Sequence, residues 1–394
     1  MSVSRTPETA GPIELLIATG GGGDPIGAAM LHMSHGDNGP LHIATFSWDR
    51  LILDPVPGPR APDDFDDLVR VGDHNFQVTP QTRTVSPARS SLPRLAAELP
   101  DARLYLLDPT RGAVGIRTQL VELIELLEPQ RITLVDVGGD ILARGDEPTL
   151  RSPLADSLVL GAASTLDRRI SVAILGPGAD GELTPKHLVK MGDDLHALQQ
   201  ALTPNPGLAR LVQVFDWHPS ESAGLVWASI FGARGDVEIR DSGMPIRLSD
   251  LTSSSWTVDS RRAVMQNQLA AALADSQSLD EADRKVGESG AYPELSYERA
   301  KASAMSSRRD KPFPSNKDVV MLVDELIEAA RLNGRQFLTA RRILEAVHVL
   351  PAHADSIRRV LKSQLGSSYV PPLVIIDENA WPAEMRVRMK LANQ

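Results

Sequence analysis

The sequence predicts an α/β protein with a doubly wound, mostly parallel, Rossmann-like sheet and an appended, mostly helical C-terminal module. Three observations favour this class. Six short segments are almost continuously apolar, as expected for strands buried on both faces of a parallel sheet. A loop rich in Gly, Asp, Ser, Thr or Pro follows each of them, and helical patterns separate most of them. Such strand–helix alternation is typical of doubly wound sheets.

The elements can be placed along the chain in order. The predicted strands cover residues 13–19, 41–46, 103–107, 131–135, 170–175 and 211–215. Helices are predicted over residues 114–127, 154–166, 185 to about 202, 258–274, 278–286, 318 to about 333, 339–349 and 354–365. Ser315 is the predicted N-cap of the helix that begins near residue 318. Ser152-Pro153 and Thr184-Pro185 each combine an N-cap residue with Pro at the first helical position. Residues 51–92, rich in Pro and Asp, predict an irregular excursion, and residues 235–248 predict a β-hairpin.

Composition divides the chain into three parts. We expect an α/β ligand-binding or catalytic domain over residues 12–300, a basic linker over 301–317 and a mostly helical module over 318–394. The net charge is −10, but residues 299–394 carry 16 Lys and Arg against 10 Asp and Glu, whereas residues 1–298 carry 25 against 41. An acidic body argues against nucleic-acid binding by that body. The basic linker either contacts a polyanion or docks on the acidic body, and both alternatives stay open.

Whole classes of site are excluded by composition. The chain has no cysteine, which excludes disulfides, thiolate catalysis and Cys-ligated zinc or iron–sulfur centres. No apolar run approaches the 18 or so residues of a membrane span, and the polar first residues lack a secretory pattern. We therefore expect a cytoplasmic protein without a membrane partner, and a homo-oligomer is compatible with the sequence.

The unusual residues of the sequence follow the predicted strands, where ligands bind in open α/β sheets. Glycines in the first loop supply free N–H groups and allow the backbone to approach a ligand closely. Its candidate ligand-binding residues are Thr19, Gly20, Gly21, Gly22, Gly23 and Asp24. The alternative is a tight turn in which Asp24 caps the next helix. Neither G-x-G-x-x-G nor a P-loop pattern fits, so NAD, FAD or P-loop ATP binding is not expected.

Carboxylates follow two further strands. Asp136 and Asp140 flank Gly138 and Gly139, and Asp180 and Glu182 follow the strand at 170–175. All four carboxylates are candidates for acid–base catalysis, and both glycines for ligand binding. Asp140 and Asp180 are the best candidates for holding Mg²⁺ or Mn²⁺. The structural alternatives are an Asx turn for the first pair and helix-dipole stabilisation by Glu182.

A fourth loop holds the best-placed histidine. His218 is a candidate for proton transfer near neutral pH, and its alternative is a packed strand-end residue. Ser220 and Glu221 are candidate ligand-binding residues, although Ser220 also fits the N-cap of the next helix. The His218–Glu221 spacing lacks the H-E-x-x-H pattern of zinc enzymes.

The segments ATGGGGD (18–24), LVDVGGDIL (134–142) and GPGADGE (176–182) resemble a prokaryotic family known as domain of unknown function 1152. Pro219-Ser220-Glu221 and Tyr297-Glu298-Arg299 fit the same pattern. The resemblance covers about residues 12–305 and leaves the C-terminal module outside. It implies a bacterial or archaeal α/β protein and does not imply any particular activity.

Three functions are compatible with these patterns. The first is an enzyme that acts on a small polar metabolite, either anionic or amino-acid-like. It would hydrolyse the metabolite or transfer a group from it with its strand-end carboxylates, either alone or together with a divalent metal. The second is a non-catalytic nucleotide or metabolite sensor that signals through residues 318–394. The third is a transferase whose substrate is carried on RNA or another carrier contacted by the basic linker. Carboxylates with perturbed pKa values that converge on a water-filled cleft would favour an enzyme over a sensor.

Overall fold

The computed structural model describes residues 11–36, 39–306, 315–348 and 351–386. Its strands are β1 (Glu14–Ala18), β2 (Leu41–Thr45), β3 (Phe65–Asp66), β4 (Val69–Arg70), β5 (Phe76–Val78), β6 (Arg83–Thr84), β7 (Ala102–Leu106), β8 (Arg131–Val137), β9 (Ser171–Leu175), β10 (Leu198–Ala201), β11 (Gly235–Ile239), β12 (Met244–Leu248), β13 (Ser254–Asp259), β14 (Phe337–Thr339), β15 (Tyr369–Val370) and β16 (Leu373–Ile375).

Helices lie between most of these strands. They are α1 (Asp24–His35), α2 (Leu92–Glu98), α3 (Gly112–Leu127), α4 (Pro153–Ser164), α5 (Pro185–Asp194), α6 (Pro206–Arg210), α7 (Val212–Phe215), α8 (Glu221–Ile230), α9 (Ser260–Gln266), α10 (Gln268–Leu273), α11 (Leu279–Glu288), α12 (Glu294–Ser306), α13 (Asn316–Leu332), α14 (Ala340–Ala346) and α15 (Ala354–Leu365). Among the described residues, no helix is both long and apolar enough to cross a membrane.

Nine strands form the main sheet, in the order β10-β13-β9-β8-β1-β2-β7-β5-β4. The five central strands, from β9 to β7, are all parallel, and the outer four pair antiparallel with their neighbours. The chain builds β1, β2 and β7 in one direction and then returns to add β8 and β9 on the other side of β1. The order therefore reverses between β1 and β8, and this reversal is the point at which open parallel sheets bind ligands.

Both faces of the main sheet are covered by helices. Along β1, Leu16 and Ala18 face one apolar cluster, whereas Leu15 and Ile17 face the other. Helices α1 and α8 contribute to the first cluster, and α3, α4 and α10 contribute to the second. Every residue of β1 and β2 is buried. The continuous apolar pattern of the sequence therefore has the predicted cause, burial on two sides.

Five of the six predicted strands are confirmed and form the parallel centre of the sheet. The sixth, at 211–215, is wrong, because Val212–Phe215 is helix α7. Asn205 caps the preceding helix by accepting a hydrogen bond from the Leu208 N–H, with Pro206 at the first helical position. A short apolar run cannot by itself distinguish a strand from a buried helix, and the Asn-Pro start signal decides for helix here.

Two predicted helices have wrong limits. The helix predicted to reach residue 202 ends at Asp194, and the edge strand Leu198–Ala201 follows it. The helix predicted over 258–274 begins only at Ser260, after β13, and is interrupted at Asn267. The Asn267 side chain accepts a hydrogen bond from the Ala270 N–H and so starts a separate helix.

The C-terminal segment (residues 315–386) contributes to a second sheet. Its five strands have the order β12-β11-β14-β16-β15, so the hairpin at 235–248 supplies two and the C-terminal segment supplies three. Helices α13, α14 and α15 lie near their predicted positions, and Ser315 caps α13 as its sequence indicated. Residues 301–306 of the predicted linker form the end of α12, and 307–314 lie outside the described residues.

Substitution of Trp381 tests how strongly the C-terminal segment is packed on the rest of the protein. Its ring is fully buried against Trp227 and Phe337, and its Nε1 donates a hydrogen bond to the Phe231 carbonyl oxygen at 2.9 Å. We expect Trp381→Ala to lower the free energy of unfolding by about 3–5 kcal/mol, the usual cost of such a truncation. Denaturant unfolding measures it, with the exposed Leu332→Ala as control. A loss below about 1 kcal/mol would show that the segment is not packed as described.

Candidate functional site

One pocket lies at the carboxyl ends of the central strands, where the strand order reverses. It is lined by the loops after β1, β8 and β9 and by the segment that leads into α8. The predicted site residues that line it are Gly20, Gly21, Gly22, Gly23, Asp24, Asp136, Asp140, Asp180, Glu182, His218, Ser220 and Glu221. Thr19, Gly138 and Gly139 lie behind this lining. The structure thus brings together residues from four loops that are far apart in the sequence.

Three carboxylates form the centre of the pocket. Asp24 lies in the first turn of α1, Asp136 near the end of β8 and Asp156 in the first turn of α4. One carboxylate oxygen of each lies within 4.8 Å of the others, and all three side chains are buried. The Thr19 hydroxyl donates to Asp156, and the N–H groups of Gly20 and Gly139 donate to Asp24 and Asp136 at 2.7 Å. These neutral donors fix the carboxylates without neutralising them.

Asp140 and Asp180 surround this triad. Asp140 Oδ2 accepts a hydrogen bond from the Ser152 hydroxyl at 3.2 Å, and Asp180 Oδ1 accepts one from the Glu182 N–H at 2.9 Å. Asp180 Oδ2 is buried and has no hydrogen-bond partner among the described residues. The two residues expected to be the best metal ligands therefore lie beside the closest carboxylate cluster rather than in it.

Burial and mutual repulsion raise the pKa of every one of these five carboxylates. For Asp24, Asp136 and Asp140 the pKa lies well above its ordinary value because the groups are desolvated and because Asp156 lies nearby. Burial also raises the pKa of Asp156 and of Asp180 to about 7, with the Glu182 charge adding to both shifts. Like charges that share a dry site cannot all ionise without a cation.

Glu182 has a structural role in this arrangement. Its Oε2 accepts the N–H groups of Arg151 and Ser152 at 2.6 and 2.9 Å, just before α4. Its Oε1 accepts the Ser152 hydroxyl at 2.6 Å and an Arg240 N–H at 3.2 Å. All these bonds fix the start of α4, which carries Asp156, to the hairpin strand that precedes Arg240. Glu182 therefore serves a helix start, although not that of the following helix α5.

Two glycines are required by close approaches. A Cβ on Gly23 would lie 1.9 Å from Ser220 Oγ, so the glycine loop packs directly against the segment before α8. Gly138 has a φ of +128°, and a Cβ there would lie 2.2 Å from Asp180 Oδ2. Neither position accepts another residue without a shift of its neighbour. Gly138 thus contributes by leaving room for the Asp180 carboxylate.

His218 is a buried neutral ring. Only 2% of its surface is exposed, and burial lowers its pKa to about 3, with Arg358 and Arg94 adding to the shift. Its Nδ1 accepts the Ser220 N–H at 3.1 Å, which leaves the proton on Nε2, an atom without a partner among the described residues. A base this weak does not accept protons near pH 7. His218 can instead donate a hydrogen bond to a ligand.

Ser220 and Glu221 connect the pocket to other elements. Ser220 is the N-cap of α8, as its sequence indicated, and accepts the Ala223 N–H at 3.4 Å. Glu221 accepts hydrogen bonds from the Thr339 hydroxyl and from the Arg240 N–H. Its Oε2 lies 3.5 Å from Arg341 Nη1. Two residues of the C-terminal segment thus hold one wall of the pocket.

Sequence reasoning missed several residues of the pocket. They are Asp49, Arg50, Asp156, Arg240, Glu294 and Arg341. Asp156 lies four residues after Ser152, inside a helix start that fully explained an acidic residue in the first turn. Glu294 accepts the Leu154 N–H at 3.2 Å, a contact between segments that no local pattern shows. For Arg50, the only available signal was its place directly after a predicted strand-end loop.

Comparison with known proteins identifies the family. The model of a protein family of unknown function, DUF1152, matches residues 15–302, and the chain belongs to this family. The match confirms the family resemblance read from the glycine and aspartate segments. No curated protein and no solved structure matches the chain.

The carboxylate cluster predicts an unusual dependence of stability on pH. Because the folded-state pKa values of Asp156 and Asp180 are raised from 3.8 to about 7, the metal-free folded state binds more protons than the unfolded state between these values. The stabilisation that these bound protons give to the folded state is complete below about pH 4, and it is lost as the pH rises through 7. We expect Asp156→Asn to lose less stability than wild type between pH 5 and pH 8.

Denaturant titrations in the presence of a chelator measure this difference. One unit of pKa shift corresponds to about 1.4 kcal/mol, so the two proteins should differ by at least about 1 kcal/mol. The exposed Asp167→Asn, at the end of the same helix region, serves as the matched control and should follow wild type. Identical pH profiles for wild type and Asp156→Asn would contradict the raised pKa.

Proposed function

We propose that this family member is an enzyme that hydrolyses or transfers a group of a small polar metabolite, using a divalent cation held by Asp24, Asp136 and Asp156. One observation carries the proposal: three buried carboxylate oxygens from different elements lie within 4.8 Å of one another at the reversal of strand order. The Rossmann-like interpretation of the sheet supports the same location, because ligands of such sheets bind there.

A cation is the natural way to relieve the repulsion in this cluster. Mg²⁺ takes oxygen ligands at 2.0–2.1 Å in octahedral geometry, so oxygens bound to one ion are about 3–4 Å apart. The three aspartate oxygens need only small side-chain rotations to reach that spacing. Protons shared among the carboxylates would be the alternative, but a cation also balances the charges of Asp140 and Asp180 nearby.

Unsatisfied polar atoms support a ligand in the same pocket. Three buried atoms of its lining residues have neither a hydrogen-bond partner nor an ion pair among the described residues, and such groups are rare in folded proteins. They are Asp49 Oδ1, Asp180 Oδ2 and His218 Nε2. A polar ligand with its bound water would supply the missing partners.

The surrounding residues have roles that follow from their charges. A bound cation would polarise the substrate or activate a water molecule. Asp180, whose Oδ2 has no hydrogen-bond partner among the described residues, can accept and return a proton at the edge of the cation site. Asp140, held by Ser152, can orient water on the cation. His218 binds as a neutral donor, so the roles that we assign differ from the acid–base role expected for it from the sequence.

A non-catalytic sensor is the second candidate. The hydrogen bond from Thr339 to Glu221 and the contact of Arg341 with the same carboxylate connect the pocket wall to the C-terminal segment. Ligand binding beside Glu221 could therefore act on residues 318–394. A transferase that uses an RNA- or carrier-bound substrate stays a third candidate, and residues 307–314 of the basic linker that it would use lie outside the described part of the chain.

Metal binding gives the direct test of the proposal. At pH 8, Mg²⁺ or Mn²⁺ should raise the melting temperature of the wild-type protein, because the ion binds the ionised triad of the folded state. At pH 5, protonated carboxylates should abolish most of this effect. We expect Asp156→Asn to be at least as stable as wild type without metal at pH 8, since one repelling charge is removed, but to lose most of the metal-induced shift.

Thermal unfolding monitored by circular dichroism provides the measurement. Asp167→Asn carries the same chemical change at an exposed position and should keep the full shift. An equal metal-induced shift in wild type and Asp156→Asn would place the ion elsewhere. Absence of any shift in the wild-type protein would refute the metal-dependent function.

A further inference from the structure

We infer that the metabolite carries a phosphate group, and that the glycine loop (residues 20–23), Arg50 and His218 bind this group beside the cation. This inference rests on the proposed function and names the substrate class of the same site. It depends on donors of pocket-lining residues that have no acceptor among the described residues, an observation separate from the carboxylate cluster.

The glycine loop offers unused backbone donors at a helix start. Gly21, Gly22 and Gly23 line the pocket, and their N–H groups have no acceptor among the described residues. Gly23 is the N-cap of the 12-residue helix α1 and provides no side chain to occupy the helix end. The partial positive charge of such a helix end favours an anion. By contrast, the N–H groups at the start of α4 are already bound by Glu182 and Glu294.

His218 supplies the second observation. The ring lines the pocket with 2% of its surface exposed, and its protonated Nε2 has no partner among the described residues. Its neighbour Ser220 packs against Gly23, so the ring belongs to the same wall as the glycine loop. A buried N–H donor without an acceptor destabilises the fold unless a ligand or water accepts its hydrogen bond.

Arg50 is an exposed arginine that lines this pocket and has no partner among the described residues. Arg240 is bound to Glu182 and Arg341 to Glu345, whereas no hydrogen bond or ion pair within the described ranges involves the Arg50 side chain. Its positive charge offsets part of the rise that burial produces in the pKa of Asp24 and of Asp156, so the guanidinium lies near these carboxylates. The preceding residues fix its backbone: the Trp48 indole donates to Glu298 at 2.8 Å, and Asp49 accepts the Ser91 N–H at 2.8 Å.

The pocket therefore has two kinds of wall, one with hydrogen-bond donors and a positive charge and one with carboxylates. An oxyanion bound by the glycine loop and Arg50 would lie next to the Asp24 end of the triad, where it could share the cation. Phosphate fits this arrangement better than carboxylate, because its three terminal oxygens can reach the backbone donors, the guanidinium and the cation together. The loop lacks the spacing of dinucleotide and P-loop sites, so a simple phosphorylated metabolite is the class that we assign.

Isothermal titration of the Mg²⁺-saturated full-length chain with inorganic phosphate tests the inference. We expect Arg50→Gln to weaken phosphate binding about ten- to a hundred-fold, the range expected for a lost charge-assisted hydrogen bond. Arg50→Lys should restore part of the affinity, and Arg359→Gln, an exposed change on α15, should have no effect. Sodium acetate at the same concentration should bind much more weakly than phosphate.

The outcomes separate this inference from the proposed function. Mg²⁺ should still stabilise Arg50→Gln, and more strongly than wild type, because a repelling positive charge is gone. Phosphate binding that is absent, unchanged in Arg50→Gln or equalled by acetate overturns the inference even if Mg²⁺ binds. Arg50-dependent phosphate binding without any effect of Mg²⁺ supports the phosphate site and rejects the cation instead.

Discussion

Repulsion among buried carboxylates is the constraint on which the site depends. Asp24, Asp136 and Asp156 reach one point because β1 and β8 are neighbours and because α1 and α4 both begin at that edge of the sheet. Their raised pKa values measure the cost of keeping them there. Removing water from a carboxylate without a partner is expensive, so the fold must supply the energy from its apolar layers on both faces of the sheet.

The remaining charges of the pocket are used to keep this cluster in place. Glu182 and Glu294 take up the free N–H groups at the start of α4 and thereby fix the backbone that carries Asp156. Arg240 joins Glu182 to the hairpin, and the hairpin shares a sheet with the C-terminal segment. Glu221 accepts a hydrogen bond from the hydroxyl group of Thr339 in that segment. The three C-terminal strands of the second sheet therefore support the pocket from outside the matched family region, which ends at residue 302.

Much of the fold was predictable because its signals are local. Buried parallel strands give continuous apolar runs, and Ser152-Pro153, Thr184-Pro185 and Ser315 mark helix starts that the structure confirms. The apolar run at 211–215 was mistaken for a strand because length and composition fit both states, and only the cap at Asn205 distinguishes them. The hairpin at 235–248 was predicted, but its pairing with the C-terminal segment was missed, because the strands of that segment have two or three residues and β14 pairs with β11 across 100 residues of chain.

The site was predictable mainly where its residues follow strands, although His218, Ser220 and Glu221 were placed at it from a predicted strand that is helix α7. Loops at strand ends must meet at one edge of a parallel sheet, so Asp24, Asp136 and Asp180 could be grouped from sequence. Asp156 could not, because a carboxylate in a helix's first turn already has an ordinary explanation. The position of Arg341 depends on strand pairing between distant segments. The unmet hydrogen bonds of His218 and Asp180 are visible only in three dimensions.

The central claim is that the carboxylate triad binds a divalent cation, and a crystal of the protein grown with Mn²⁺ tests it most directly. Anomalous diffraction at the manganese edge locates the ion without any assumption about the reaction. The account predicts an ion bound by oxygens of Asp24, Asp136 and Asp156 at about 2.1–2.3 Å, the distances of a hard cation on carboxylates. A well-ordered pocket with these three aspartates and no anomalous peak between them would contradict it.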